Sequence, residues 1–256
     1  MIILLIVLLI LSIFVIVFLV KNKIFYNNIL FHFKKCNVIV DGKKGSGKDL
    51  IFQKVINSRK DNYYSNIDYG GKCNLIELSS VSIYPNTYIN FINDKITKVE
   101  RNFIEKKDIY ISDGGIYLPS YMDSTLYKTY PSFPIFYALS RHLYNNNVHV
   151  NVQNFTRLWK ALREQADFFI HIKRTYNLPF FLLIKCNTYD KYESAIQYLE
   201  PLNARILNKY SKAETDIYNA QHGDIRSGYV IIKKSKIKYN TRAFEKLILN
   251  GERLVK

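Results

Sequence analysis

Cysteine is scarce and unpaired in this 256-residue chain: Cys36, Cys73 and Cys186 are odd in number, widely spaced and without a CxxC pair. That excludes a disulfide framework and a cysteine-built zinc site, and it points to reduced thiols in a cytoplasmic domain. Acidic residues are also short, 21 against 37 Lys and Arg, leaving a formal net charge of +16. Such an excess favours polyanionic partners, either nucleic acid or an anionic lipid surface. Part of it lies beside an apolar N-terminal run. The abundance of Asn, Lys, Ile and Tyr with few alanines fits an AT-rich genome, which raises lysine on its own account. No repeat or long linker interrupts the roughly 220 residues after that run, so one α/β domain fits better than two.

The apolar run is Ile2 to Val20, with Ser12 as its one polar side chain. At 1.5 Å per residue it reaches about 28 Å as a helix, against a hydrocarbon core of roughly 30 Å. A secretory signal peptide needs a basic residue before such a run and a small-x-small site after it. This chain has neither, continuing instead as Lys21-Asn22-Lys23-Ile24-Phe25, so an uncleaved membrane anchor over residues 1–20 is expected. Lys21, Lys23, Lys34 and Lys35 follow the span, and the positive-inside rule then places the N-terminus outside and the rest in the cytoplasm. Residues 21–35, aromatic and apolar among lysines, read as a juxtamembrane collar lying at the interface. Residues 36–256 form the remaining domain.

That domain opens with a phosphate-binding signature. Gly42, Lys43, Lys44, Gly45, Ser46, Gly47, Lys48 and Asp49 follow the apolar run Val38-Ile39-Val40. Glycines at this spacing let backbone N–H groups turn inward around β- and γ-phosphates, Lys48 adds a point charge, and a helix from about Lys48 to Asn57 offers its positive end. The motif calls for ATP with Mg²⁺. Its last position departs from the usual Ser/Thr that places a hydroxyl on the metal: here Asp49 is the metal candidate.

Short apolar runs alternating with helical stretches predict a mostly parallel sheet covered by helices. Strands are expected at Tyr63–Ile67, Asp108–Ser112, Val148–Val152 and Phe168–Ile172. Helices are expected over most of Pro85–Glu105, from Pro134 to about Tyr144, and over a basic stretch from Thr156 to Gln165. The lysine-rich segment from Lys233 to Lys238 reads as a strand with one basic face, touching DNA or lipid, or as an edge strand guarded by lysines.

The carboxyl ends of parallel strands are where ligands bind in open α/β sheets. Asp113 falls at such an end and is a candidate to hold Mg²⁺ through water; an Asp there is also a common turn former. Gly114 and Gly115 follow it where a catalytic Glu often stands, so no residue obviously activates the attacking water. Gln153, ending the next strand, reads either as an amide that senses the γ-phosphate and the water or as a helix cap. Arg157 and Arg163 in the basic helix read either as a finger reaching a neighbouring subunit's phosphate or as a solvated basic face. His142 and His149 lack metal-ligand spacing and read as structural.

Together, Gly42 to Asp49, Tyr64-Ser65-Asn66-Ile67, Asp113, Ser140-Arg141-His142, Val148 to Gln153, Arg157, Arg163 and Glu164-Gln165-Ala166-Asp167 resemble the zonula occludens toxin-like family. That family includes the gene I assembly proteins of filamentous phages and is similar to the FtsK/HerA class of DNA-pumping P-loop ATPases. The resemblance covers about residues 36 to 175. It implies a membrane-bound, ring-forming ATPase in the host inner membrane that powers extrusion or packaging of phage single-stranded DNA, with coat or other assembly proteins as further partners. Three departures stand against it: Asp49 for Ser/Thr, Gly114 for Glu, and a membrane helix before the ATPase domain where relatives often carry it after. A loop ending Gly-Lys-Asp also resembles that of small nucleotide or phosphometabolite kinases. A nucleotide-binding scaffold without catalysis is the third reading.

Overall fold

The computed structural model describes residues 2–75, 87–92, 95–101, 107–122, 147–192, 195–196 and 225–237. The first element, α1 (Ile2–Lys35), is one helix of 34 residues, about 50 Å long. Its two halves suit different surroundings. Every large apolar side chain from Ile3 to Val20 is exposed, and the stretch is long and apolar enough to cross a membrane. Ser12 donates to the Leu9 carbonyl at 2.7 Å, so the run's one hydroxyl needs no water. Below it, Asn22, Phe25, Ile29 and Phe33 are buried at steps of three and four, one helical stripe.

That stripe corrects the expected interfacial collar. Residues 21–35 are the lower turns of α1, and Phe25, Ile29 and Phe33 belong to a core shared with Val38, Val40, Phe52, Val55, Phe168 and Val230. Burying three large apolar side chains contributes about 5–8 kcal/mol before entropy.

The sheet is built outward from β1 (Val38–Asp41), which pairs in parallel with β7 (Val148–Val152) on one side and β8 (Phe168–Asn177) on the other. Beyond β7 come β6 (Asp108–Ile111), β2 (Tyr63–Ser65) and β3 (Cys73–Leu75), all parallel. Beyond β8 the sheet turns antiparallel through β9 (Phe181–Tyr189) and β10 (Ile225–Lys233), giving the order β10-β9-β8-β1-β7-β6-β2-β3. The central strands β1, β6 and β7 are buried throughout, as parallel strands covered on both faces must be. Val38 and Val40 face α1 and α2 (Lys48–Arg59), while Ile39 faces the cluster of Ile111, Val150, Leu158, Trp159 and Leu162. This is the expected P-loop α/β architecture with an apolar helix before it.

At the strands' amino ends, α1 is clamped to α2. Arg59 donates to the Phe33 carbonyl at 2.9 Å and to the Asp108 carboxylate. His149, fully buried, lies between the Phe33 and Tyr110 rings with Nε2 3.5 Å from Asp108. Burial holds its imidazole below the ordinary range, against the pull of Asp108. His149 is a packing residue.

Four expectations change. Pro85–Glu105 holds a hairpin, β4 (Thr87–Ile92) paired with β5 (Lys95–Arg101), in a sheet of its own; its β-branched and aromatic residues fit strands better than a helix. The basic helix from Thr156 splits into a 3₁₀ turn, Phe155–Arg157, and a short helix at Lys160–Gln165. Between them Leu158 is extended and both Leu158 and Trp159 are fully buried, Leu158 bridging Pro119 and the Trp159 backbone N–H donating to the Leu118 carbonyl. Strand β8 runs five residues beyond Ile172, to Asn177. Strand β10 ends at Lys233, and Lys234–Lys236 form a 3₁₀ turn instead of a basic strand face. The helix expected from Pro134, with Ser140-Arg141-His142, lies outside the described residues.

Candidate functional site

Strand β1 hands over to the loop where the Gly42 N–H donates to the Val152 carbonyl at 3.2 Å, fixing the loop against β7. Gly45 and Gly47 then adopt φ of 74° and 93°, which side chains other than glycine rarely tolerate. Helix α2 starts at Lys48, so the loop's N–H groups and the helix's positive end meet at one point. Lys48 is 5% exposed. Its ammonium donates to the carbonyls of Gly42 (3.0 Å) and Lys43 (3.2 Å), oxygens that stand in for phosphate oxygens. Burial lowers its pKa, and the carboxylates of Asp113, Asp49 and Asp41 oppose that shift. A strand-loop-helix with a buried lysine at its mouth fits a nucleotide's phosphates.

Asp49 is the hub of the surrounding hydrogen bonds. Its Oδ1 accepts from the Tyr69 hydroxyl (2.6 Å), the Ser112 hydroxyl (2.7 Å) and the Asn151 amide (2.7 Å). Ser112 is held in turn: its N–H donates to Asn66 Oδ1, its carbonyl accepts from Asn66 Nδ2, and Asn151 Nδ2 also reaches its hydroxyl at 3.3 Å. The loop helix is thus tied to the ends of β6 and β7. In the sequence Tyr69 and Ser112 have no motif, and Asn66 and Asn151, although they lie in runs that carry the resemblance, have no role in it. Sequence reasoning also misses His171, whose Nδ1 lies 2.6 Å from Asp41 Oδ2 directly below the loop, and Thr175, whose hydroxyl donates to the Ser46 carbonyl at 2.6 Å. His171 pairs with Asp41 across β8 and β1, and Thr175 lies further along β8, beyond the end of that pairing.

Because β7 lies between β1 and β6, Gln153 stands between the loop and Asp113. Asp113 adopts φ 51° and ψ 46°, turning away from the strand direction, and its Oδ1 accepts from Gln153 Nε2 at 3.3 Å. The two line a cavity of about 200 Å³ with Gly115, Val152 and Arg157. The structure therefore brings Asp113, Gln153 and Arg157 together beside the loop. It separates Arg163, which is 8% exposed with its guanidinium over the Phe155 ring at 5.2 Å. A buried packing residue cannot reach a neighbour's phosphate, so the finger reading falls to Arg157 alone. Gly114 also gains a reason: a Cβ there would run into Val150 Cγ1, which leaves no room for the Glu expected at that position.

Among the described residues no group of three or more His, Cys, Asp or Glu side chains is placed to hold a metal. Mg²⁺ that arrives on a triphosphate needs only one or two protein oxygens and keeps its waters, and Asp49, Ser112 and Asp113 supply oxygens of that kind around Lys48.

No protein-family model matches the chain, and no curated protein does. Its fold is similar to the N-terminal domain of zonular occludens toxin from Neisseria meningitidis, with 12% identity, a TM-score of 0.46, and coverage of 80% of this chain and 98% of that one. It is also similar to the genome packaging NTPase B204 from Sulfolobus turreted icosahedral virus 2 in complex with AMPPCP, with 16% identity, a TM-score of 0.36, and coverage of 76% and 97%. A third likeness is to B204, the DNA-packaging ATPase from Sulfolobus turreted icosahedral virus, with 17% identity, a TM-score of 0.35, and coverage of 63% and 95%.

Proposed function

We propose that this chain is a membrane-anchored P-loop ATPase that assembles as a homo-oligomeric ring and powers extrusion or packaging of phage single-stranded DNA together with coat or other assembly proteins. The observation that carries the reading is the placement of Lys48 on the Gly42 and Lys43 carbonyls next to a cavity lined by Asp113, Gln153 and Arg157. A loop that binds phosphate, a carboxylate, an amide and an arginine are the parts that phosphoryl transfer to water requires. In this reading Lys48 and the loop N–H groups bind the phosphates, Gln153 orients the attacking water, and Arg157 serves a neighbouring subunit. Asp49 and Asp113, two of the three carboxylates whose charge acts on Lys48, are the candidates to serve Mg²⁺. When bound, the metal would neutralise phosphate charge.

The exposed apolar half of α1 supports an anchor in the host inner membrane. Lys21, Lys23, Lys34 and Lys35 support an outward N-terminus with residues 36–256 in the cytoplasm, where ATP is available. The net charge supports a polyanionic partner.

Phosphate release by the purified protein in nanodiscs, measured with and without single-stranded DNA, tests the proposal. Stimulation is expected. Phosphoryl transfer to a nucleoside monophosphate would instead identify a tethered kinase, and binding without turnover a scaffold. Lys48→Ala should abolish nucleotide binding and leave membrane insertion intact; a variant that binds ATP as tightly as the parent would end the P-loop assignment.

A further inference from the structure

P-loop NTPases hold Mg²⁺ with a hydroxyl on the residue after the loop lysine and with a carboxylate on a neighbouring strand. In this chain the residue after Lys48 is a carboxylate, Asp49. The residue following β6 that touches it is a hydroxyl, Ser112, 2.7 Å away. One carboxylate and one hydroxyl still face each other from the same two elements, with their places exchanged. We propose that Asp49 and Ser112 are an exchanged metal-holding pair, and that Asp113 is thereby released to act as the base for the attacking water. The proposal deepens the ATPase reading and rests on it.

Two observations separate Asp113 from the pair, and a third couples the two sites. Its backbone is in the left-handed region, so its side chain leaves the line of β6. Its carboxylate meets Gln153 and the cavity that Arg157 also lines. Asn151 spans the two sites, its Nδ2 on Asp49 and its Oδ1 accepting the Asp113 N–H at 2.8 Å. In hydrolysis the water oxygen bonds to the γ-phosphorus, the bond to the bridging oxygen breaks with its electron pair leaving on ADP, and the water proton passes to the Asp113 carboxylate.

The test is a swap, read as Mg²⁺-dependent binding of a fluorescent ATP analogue to the full chain, with Mg²⁺-free binding as the control for a folded loop. Asp49→Ser leaves two hydroxyls and Ser112→Asp two carboxylates; each should weaken Mg²⁺-dependent binding about tenfold or more. The double variant restores one of each and should recover to within about threefold of the parent, a coupling that independent sites do not show. Asp113→Asn should leave Mg²⁺ dependence unchanged while turnover falls about 10²- to 10⁴-fold. A double variant no better than the worse single, or Mg²⁺ dependence lost in Asp113→Asn and kept in Asp49→Ser, overturns the exchange alone. A parent that binds no nucleotide overturns the site and the exchange with it.

Discussion

A side chain at position 114 has nowhere to go, because its Cβ would meet Val150 Cγ1. Gly114→Ala should therefore cost about 1–3 kcal/mol through overpacking, measured as a lowered unfolding midpoint in detergent, with no gain of turnover. An equal or higher midpoint would show that β7 yields at this point. The same scale explains what the sequence does and does not disclose about the site. Lys48 and its glycines are legible because a phosphate loop is a local device: its residues are consecutive. The partners of Asp49 are not consecutive, since Tyr69, Ser112 and Asn151 lie 20, 63 and 102 positions away. Tolerance of Asp49→Thr, natural to expect from the motif alone, changes sign once these donors are known. The substitution replaces a carboxylate oxygen that accepts from all three with one hydroxyl that cannot satisfy them together, and a buried donor left without an acceptor costs about 1–3 kcal/mol.

Elements were legible where their periods were long and unbroken. The strands flanking the loop stand within a residue or two of their expected places, apart from the longer β8. The hairpin of β4 and β5 was obscured by polar residues that fit either period. The lower half of α1 was masked by its neighbour: Phe25, Ile29 and Phe33 form a clear inward stripe, but beside a membrane-length run they read as interfacial. Two predictions belong to α1 and its packing. Phe33→Ala should destabilise the domain by about 3–5 kcal/mol, since Phe33 meets Phe52, Tyr110 and His149; a collar residue at the bilayer surface would show almost no loss in detergent. The second concerns Lys54 of α2, which donates to the Ile231 carbonyl and lies over the Tyr26 ring. Burial, aided by Lys236, holds its pKa at about 8 instead of 10.5. Between those values the unfolded chain binds a proton that the folded chain releases, so stability rises with pH across that window and the full penalty is present below it. Relative to Lys54→Met, the parent should gain about 2–3 kcal/mol between pH 8 and pH 10.5. Parallel stability curves for the two proteins would mean that Lys54 is solvated.

At the scale of the whole molecule, one part of the proposed hydrolytic site, Arg157, is exposed. Arg157 lines the cavity with Asp113 and Gln153, whereas Arg163 is spent on packing against Phe155. In a head-to-tail ring the nucleotide edge of one subunit meets its neighbour, and an arginine supplied in trans can raise turnover about 10³- to 10⁵-fold. Arg157→Ala should leave nucleotide binding by the monomer unchanged and abolish turnover, while Arg163→Ala should lower stability and affect turnover only through folding. Mixing separates the trans role from a role within one subunit. Lys48→Ala has an intact arginine and a dead loop, and Arg157→Ala the reverse, so each is inactive alone. A mixed ring in nanodiscs contains interfaces where an intact loop faces an intact Arg157, and partial phosphate release should return there. Demonstrated co-assembly without recovery would place Arg157 in its own subunit's site and end the trans assignment.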